Sequence, residues 1–184
     1  MNSGKSVLVV VDMQNGFVST RARPIVPHVV DLVRRWEELD RDVVYTRFLN
    51  QPDSQFTRLI HWERFMPGEE ETEIIPELAE SAARWSVIDK PAQYSPFTPE
   101  FTRMVHRNGW NEMVICGIAT ESCVMKTACD AFELGYTPWV VTDACTSHGD
   151  PKRHDAGLLT MKYFIGRDQL VTADHVLNNN AKAA

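Results

Sequence analysis

Short apolar runs alternate along this chain with segments of helical periodicity. Ser6 to Val11, Asp42 to Thr46, Trp85 to Ile88, Glu112 to Cys116 and Trp139 to Thr142 are β-branched and continuously apolar, as strands buried on both faces are, with a weaker sixth run at Leu170-Val171. Helical spacing fills the gaps over Pro27 to Leu39, Pro99 to Arg107, Glu121 to Leu134, Pro151 to Phe164 and Ala173 to Leu177. This alternation predicts right-handed βαβ crossovers and a mainly parallel six-stranded sheet with helices on both faces, a three-layer α/β/α sandwich. Thr98 before Pro99 reads as an N-cap with proline in the first turn, while Gly109 and Gly135 fall where helices should stop.

The rhythm fails between residues 48 and 80. Pro52, Pro67-Gly68, the acidic run Glu69-Glu70-Glu71 and Pro76 mark an irregular excursion there, and its Phe56, Trp62 and Phe65 either close over a pocket as a lid or form a satellite cluster under the loop. Residues 178–184 read as a frayed tail. A single domain over 1–184 is the economical reading of 184 residues that are 43% hydrophobic and 24% charged.

Charge and cysteine usage narrow the function. A net charge of −6 with dispersed Lys and Arg argues against nucleic-acid binding. Val7 to Val11 is too short for a signal-peptide core or a membrane span, so no membrane role and a cytoplasmic location are expected. Cys116, Cys123, Cys129 and Cys145 contain no C-x-x-C pair and no zinc-like grouping, and reduced thiols are expected. Cys116 and Cys129 read as buried, inert thiols. A redox role would need a resolving cysteine near Cys123, and neither Cys116 nor Cys129 has an obvious route to it.

Cys123 is placed differently. It follows a strand directly and opens a helix, where unpaired N–H groups and the positive end of the helix dipole favour the thiolate. Asp12 and Lys90 leave comparable strands, so a carboxylate, an ammonium and a thiol meet at one sheet edge, where open parallel sheets bind ligands. Taken singly, each residue has a plainer explanation. Cys123 begins an apolar stripe continued by Val124, Thr127, Ala128, Ala131 and Phe132; Asp12 could cap a turn, and Lys90 could form a surface salt bridge.

Three segments together resemble the isochorismatase-like cysteine hydrolases, the superfamily that includes nicotinamidases, N-carbamoylsarcosine amidohydrolases and ureidoacrylate hydrolases. They are Val11-Asp12-Met13-Gln14-Asn15-Gly16-Phe17, Asp89-Lys90-Pro91-Ala92-Gln93-Tyr94-Ser95-Pro96-Phe97 and Gly117-Ile118-Ala119-Thr120-Glu121-Ser122-Cys123, in the family's order and spanning most of the chain. The resemblance implies strand order 3-2-1-4-5-6, an Asp12/Lys90/Cys123 triad, a cis peptide between Ile118 and Ala119, and an oxyanion hole from the backbone N–H groups of Ala119 and Cys123. It also implies a homodimer or homotetramer acting on a small-molecule substrate. Cleavage of a C–N bond in an amide, carbamoyl or ureido compound through a thioester is the expected activity, with Asp12 as base. A catalytically silent binding protein on the same scaffold is the alternative.

The nicotinamidase branch carries a metal site that begins with an Asp-x-His pair after the second strand. This chain reads Thr46-Arg47-Phe48-Leu49-Asn50-Gln51-Pro52-Asp53 there, so no metal and no other cofactor is expected, with Asp53 and His61 as a residual option. His148, on a strand-exit loop, is the one histidine placed to approach the pocket. Phe17, Tyr94 and Phe97 follow the reactive residues and Trp62 lies in the excursion, which makes these four aromatics the expected substrate-binding wall.

Overall fold

The computed structural model describes residues 5–178. Six parallel strands, β1 (Lys5–Val11), β2 (Val43–Leu49), β3 (Ser86–Pro91), β4 (Trp110–Ile118), β5 (Thr137–Thr146) and β6 (Leu170–Val171), form one sheet in the order β3-β2-β1-β4-β5-β6. The helices are α1 (Val26–Glu37), α2 (Gln55–Ile60), α3 (Pro76–Arg84), α4 (Pro99–Asn108), α5 (Met125–Glu133), α6 (Pro151–Phe164) and α7 (Ala173–Asn178). Val7 through Val11 are completely buried, as the centre of a sheet with both faces covered requires.

Strand order reverses between β1 and β4, whose carboxyl ends therefore diverge into separate connections and leave a crevice. Their register, Leu8 opposite Val114 and Val11 opposite Gly117, brings Asp12 and the segment after Ile118 out side by side. Gly117 makes this approach possible. Its φ is +113°, and a Cβ there would stand 2.1 Å from the Val11 carbonyl oxygen.

Several boundaries differ from those the sequence implies. Lys90 lies within β3, opposite Phe48 of β2, and not beyond the strand's end. The single helix expected over Glu121 to Leu134 is two pieces: a π turn at Thr120–Val124, in which the Val124 N–H donates to the Ala119 carbonyl, and then α5. The excursion is also less irregular than expected. β2 runs on to Leu49, and α2, a 3-10 turn at Glu70–Thr72 and α3 occupy much of the rest. α3 buries only Leu78, Ser81 and Ala82, too narrow a stripe to announce a helix, although Pro76 marks its first turn. Of the expected tail, Asn178 closes α7 and residues 179–184 lie outside the described residues.

Gln14 ties the excursion to the sheet. Completely buried, it donates from Nε2 to the carbonyls of Phe48 (3.0 Å) and Thr72 (2.8 Å) and accepts the Phe48 N–H at 2.8 Å. Among the described residues no helix is long and apolar enough to cross a membrane.

Gly117→Ala should destabilise the fold by about 3 kcal/mol, because the new methyl meets backbone in a conformation unfavourable to an L side chain. Urea denaturation checks this, and a loss below 0.5 kcal/mol, roughly that of an ordinary surface substitution, would show that β1 and β4 can separate without cost.

Candidate active site

Asp12 follows β1 in the left-handed region, with φ +48°, which aspartate tolerates better than most residues. The turn is fixed from two sides. The Asp12 N–H donates to Thr46 Oγ1 at 3.2 Å, and the Thr46 hydroxyl donates back to Asp12 Oδ1 at 2.6 Å. Lys90 Nζ donates to Asp12 Oδ2 at 2.6 Å and to the Tyr94 carbonyl at 2.6 Å. Both side chains of this ion pair are completely buried.

Cys123 joins the pair from the π turn, close enough for both Asp12 and Lys90 to act on its thiol. The Ile118-Ala119 peptide is cis. His154 Nδ1 and Thr120 Oγ1 share a hydrogen bond of 2.8 Å, and the Thr127 hydroxyl donates to the Cys123 carbonyl at 2.6 Å, so the turn is held at both ends. Gly157 of α6 packs against it from behind, where a Cβ would stand 2.8 Å from Glu121 Cα.

The electrostatics correct one expectation. Burial pushes the Cys123 thiol up to about 12; Asp12 adds to this, and Lys90 opposes it without reversing it. The helix start and the ammonium therefore do not leave a resting thiolate. For Lys90, burial disfavours the ammonium, but Asp12 and Cys123 outweigh it and hold its pKa above the ordinary lysine value. The resting site is thus a thiol beside a carboxylate and an ammonium. Cys116 and Cys145 are buried thiols pushed well up by desolvation, and Cys129, half-buried, is raised for the same first reason.

Above Cys123 opens a cavity of about 260 Å³. Its apolar wall contains Phe17, Phe48, Phe56, Ile60, Trp62 and Tyr94, while Glu121, Ser122, His148 and Arg153 supply polar groups. The aromatics are continuous: Phe17 stacks on Phe65 at 4.0 Å between centroids, Trp62 on Phe65 at 6.0 Å, and Phe56 meets Tyr94 at 4.8 Å. Of the two readings of the excursion, Phe56 and Trp62 form the pocket wall and Phe65 the cluster beneath it.

Phe97 is not part of the wall. Ala92, at φ +46°, turns the chain after β3, and Thr98 caps α4, which places Phe97 against Phe101 of the first turn (5.3 Å) and Tyr136 (5.9 Å). Thr46, Phe48, Ile60, Glu121, Ser122 and Arg153 are site residues that sequence reasoning missed. Only Glu121 and Ser122 carried a signal, by standing next to Cys123.

The residues where the resemblance would place a metal site do not suit a metal ion. Asn50 spends its amide on the loop, donating to the Trp62 carbonyl at 2.7 Å and accepting from Ser54 Oγ at 2.6 Å, and Asp53 and His61 are both exposed. Among the described residues no three His, Cys, Asp or Glu side chains stand close enough to share one.

The isochorismatase domain family model matches residues 6–171, and the chain belongs to that family. It is 26% identical over 196 aligned residues to the ureidoacrylate amidohydrolase RutB of Acinetobacter baylyi, covering 88% of this chain and 79% of that protein. It is 27% identical to nicotinamidase 3 of Arabidopsis thaliana, covering 92% and 88%. The crystal structure of N-carbamoylsarcosine amidase from Thermoplasma acidophilum superposes with a TM-score of 0.74 at 30% identity, over 85% of this chain and 92% of that one.

Replacing Lys90 with Met should cost roughly 3–5 kcal/mol, because it strands a buried carboxylate. Adding Asp12→Asn to that variant should recover most of the loss. Chemical denaturation of the four proteins of this cycle measures the coupling, and additive losses would mean that the pair is not an energetic unit.

Proposed function

We propose that this member of the isochorismatase family is a metal-independent cysteine hydrolase that cleaves a C–N bond in a small amide, carbamoyl or ureido compound. One observation carries the reading: Asp12, Lys90 and Cys123 are buried together at the sheet's switch point, directly beneath a cavity sized for a compact molecule. The names of the similar proteins, which act on ureidoacrylate, nicotinamide and carbamoylsarcosine, support the same bond type.

The chemistry starts from the protonated thiol. As Cys123 Sγ attacks the substrate carbonyl carbon, its proton passes to Asp12, and the ammonium of Lys90 stabilises the sulfur as it becomes anionic. Negative charge grows on the carbonyl oxygen, and the backbone N–H groups of Ala119 and Cys123 are the donors assigned to it. Protonated Asp12 then gives its proton to the departing nitrogen, the C–N bond breaks, and a thioester remains on Cys123. Asp12 next takes a proton from water, which attacks the thioester and releases the acid. The proton returns to sulfur.

Phe17, Trp62 and Tyr94 are assigned to substrate binding, and their apolar faces keep water scarce while the C–N bond breaks. Assembly into a homodimer or homotetramer belongs to the same proposal. It is supported by an exposed apolar strip of Leu159, Tyr163 and Phe164 on α6, and sizing chromatography would test it.

Intact-mass spectrometry during turnover of a small-amide panel should show an acyl adduct on the wild-type protein and none on Cys123→Ala. Asp12→Asn should lower kcat by ~10²-fold or more. Exhaustive chelation should leave activity unchanged, and loss of activity restored by zinc or iron would overturn the metal-independent reading. Trp62→Ala should raise KM or alter substrate preference while leaving the melting temperature nearly unchanged. A lower melting temperature with unchanged kinetics would make Trp62 a structural residue only.

A further inference from the structure

The cavity lining includes a second carboxylate, whose bonding is incomplete. Glu121 stands two residues before the nucleophile. Ser147 Oγ donates to its Oε1 at 2.7 Å and also accepts the Gly149 N–H at 3.0 Å, so the carboxylate is anchored to the loop after β5. Its backbone is anchored too, by the close approach of Gly157. The other oxygen, Oε2, is buried and has no partner. His148 lines the same cavity, tilted against Phe17 at 5.4 Å, and its Nδ1 is also buried without a partner. Burial, helped by Arg153 and Arg64 and opposed by Glu121, lowers the His148 pKa and keeps the ring neutral at neutral pH.

A buried carboxylate oxygen without a donor is costly, and in folded proteins such groups are nearly always satisfied. Here the fold fixes one oxygen and leaves the other unsatisfied on a residue that lines the cavity, which is how a recognition group is built. The strand order says which part of a substrate would meet it. Asp12 and Lys90 arrive from β1 and β3, on one side of Cys123, and Glu121 is held by β5 and α6 on the other. Because the departing nitrogen must face Asp12 to be protonated, the second substituent of the carbonyl points toward Glu121.

We propose that Glu121 is a specificity-determining residue whose Oε2 accepts an N–H from the substituent opposite the leaving group, so the cavity selects a carbonyl flanked by nitrogen on both sides over its carbon isostere. This rests on the cavity being the substrate site. It goes further by assigning the discrimination to one side chain. Neutral His148 beside it adds a hydrogen-bonding group without a competing positive charge.

Phenylurea and 2-phenylacetamide test this, since they differ in N–H against CH2 between ring and carbonyl. Their dissociation constants are measured by tryptophan fluorescence or calorimetry on the Cys123→Ala protein, where neither can turn over. The parent should bind phenylurea about tenfold tighter, and Glu121→Gln should weaken phenylurea by about tenfold or more while changing 2-phenylacetamide less than about threefold. If Glu121→Gln melts far below the parent, Glu121→Met is read in its place. Equal weakening of both probes, a urea preference that survives loss of the carboxylate, or no preference in the parent overturns the assignment. These are equilibrium constants, so a missing acyl adduct on the wild-type protein would defeat the hydrolase reading while leaving this result legible on its own.

Discussion

The buried ion pair between Asp12 and Lys90 is the constraint around which the rest of this molecule is arranged. Two completely buried charges are expensive to desolvate, and they hold only where geometry and further hydrogen bonds compensate. The fold supplies these from four directions: the left-handed turn after β1, the Thr46 hydroxyl from β2, the Lys90 stem from β3 and the Tyr94 carbonyl from the turn beyond it. No single element could do this. The parallel sheet brings three strand ends to one edge, and Gln14 keeps the 48–75 region folded against that edge.

The same pair bears on the state of the Cys123 thiol. An ammonium alone beside a thiol would favour the thiolate, but here the ammonium is already engaged by a carboxylate, and the desolvated sulfur keeps its proton. A resting thiol is less exposed to adventitious oxidation than a thiolate, and the Asp12 carboxylate proposed to take its proton stands beside it. In the proposed mechanism, reactivity is produced when a carbonyl enters the cavity and the thiol proton moves to Asp12 as the new bond forms. In that mechanism the aromatic wall surrounds the substrate with surface that does not compete for those protons.

Much of this was legible in the sequence, and the limits of legibility are physical. Continuous β-branched runs identify doubly covered strands because only a two-sided core tolerates them, and motif spacing gave Asp12, Lys90 and Cys123 their common edge. The state of the thiol was not legible, because it depends on net burial and on a partner that already occupies the ammonium. Phe97 followed Lys90 closely enough to read as pocket wall, yet a positive-φ alanine and a threonine cap five and eight residues after Val87 and Lys90 respectively redirected it to α4. Thr46 and Glu121 are polar residues with no periodic signature. What marks them is a partner 34 residues away in one case and an unpartnered oxygen in the other, and neither exists before the chain is folded.

The protonation state of Cys123 in the resting protein tests the account most directly. Thiolate absorbance in the ultraviolet, taken as the difference between wild type and Cys123→Ala across a pH titration, isolates this sulfur from the other three thiols. With its pKa raised to about 12, the difference signal should be absent at neutral pH and should grow about tenfold per pH unit as the solution becomes strongly alkaline. A full thiolate signal at pH 7 would contradict the account, since the carboxylate beside the sulfur would then have no proton to take.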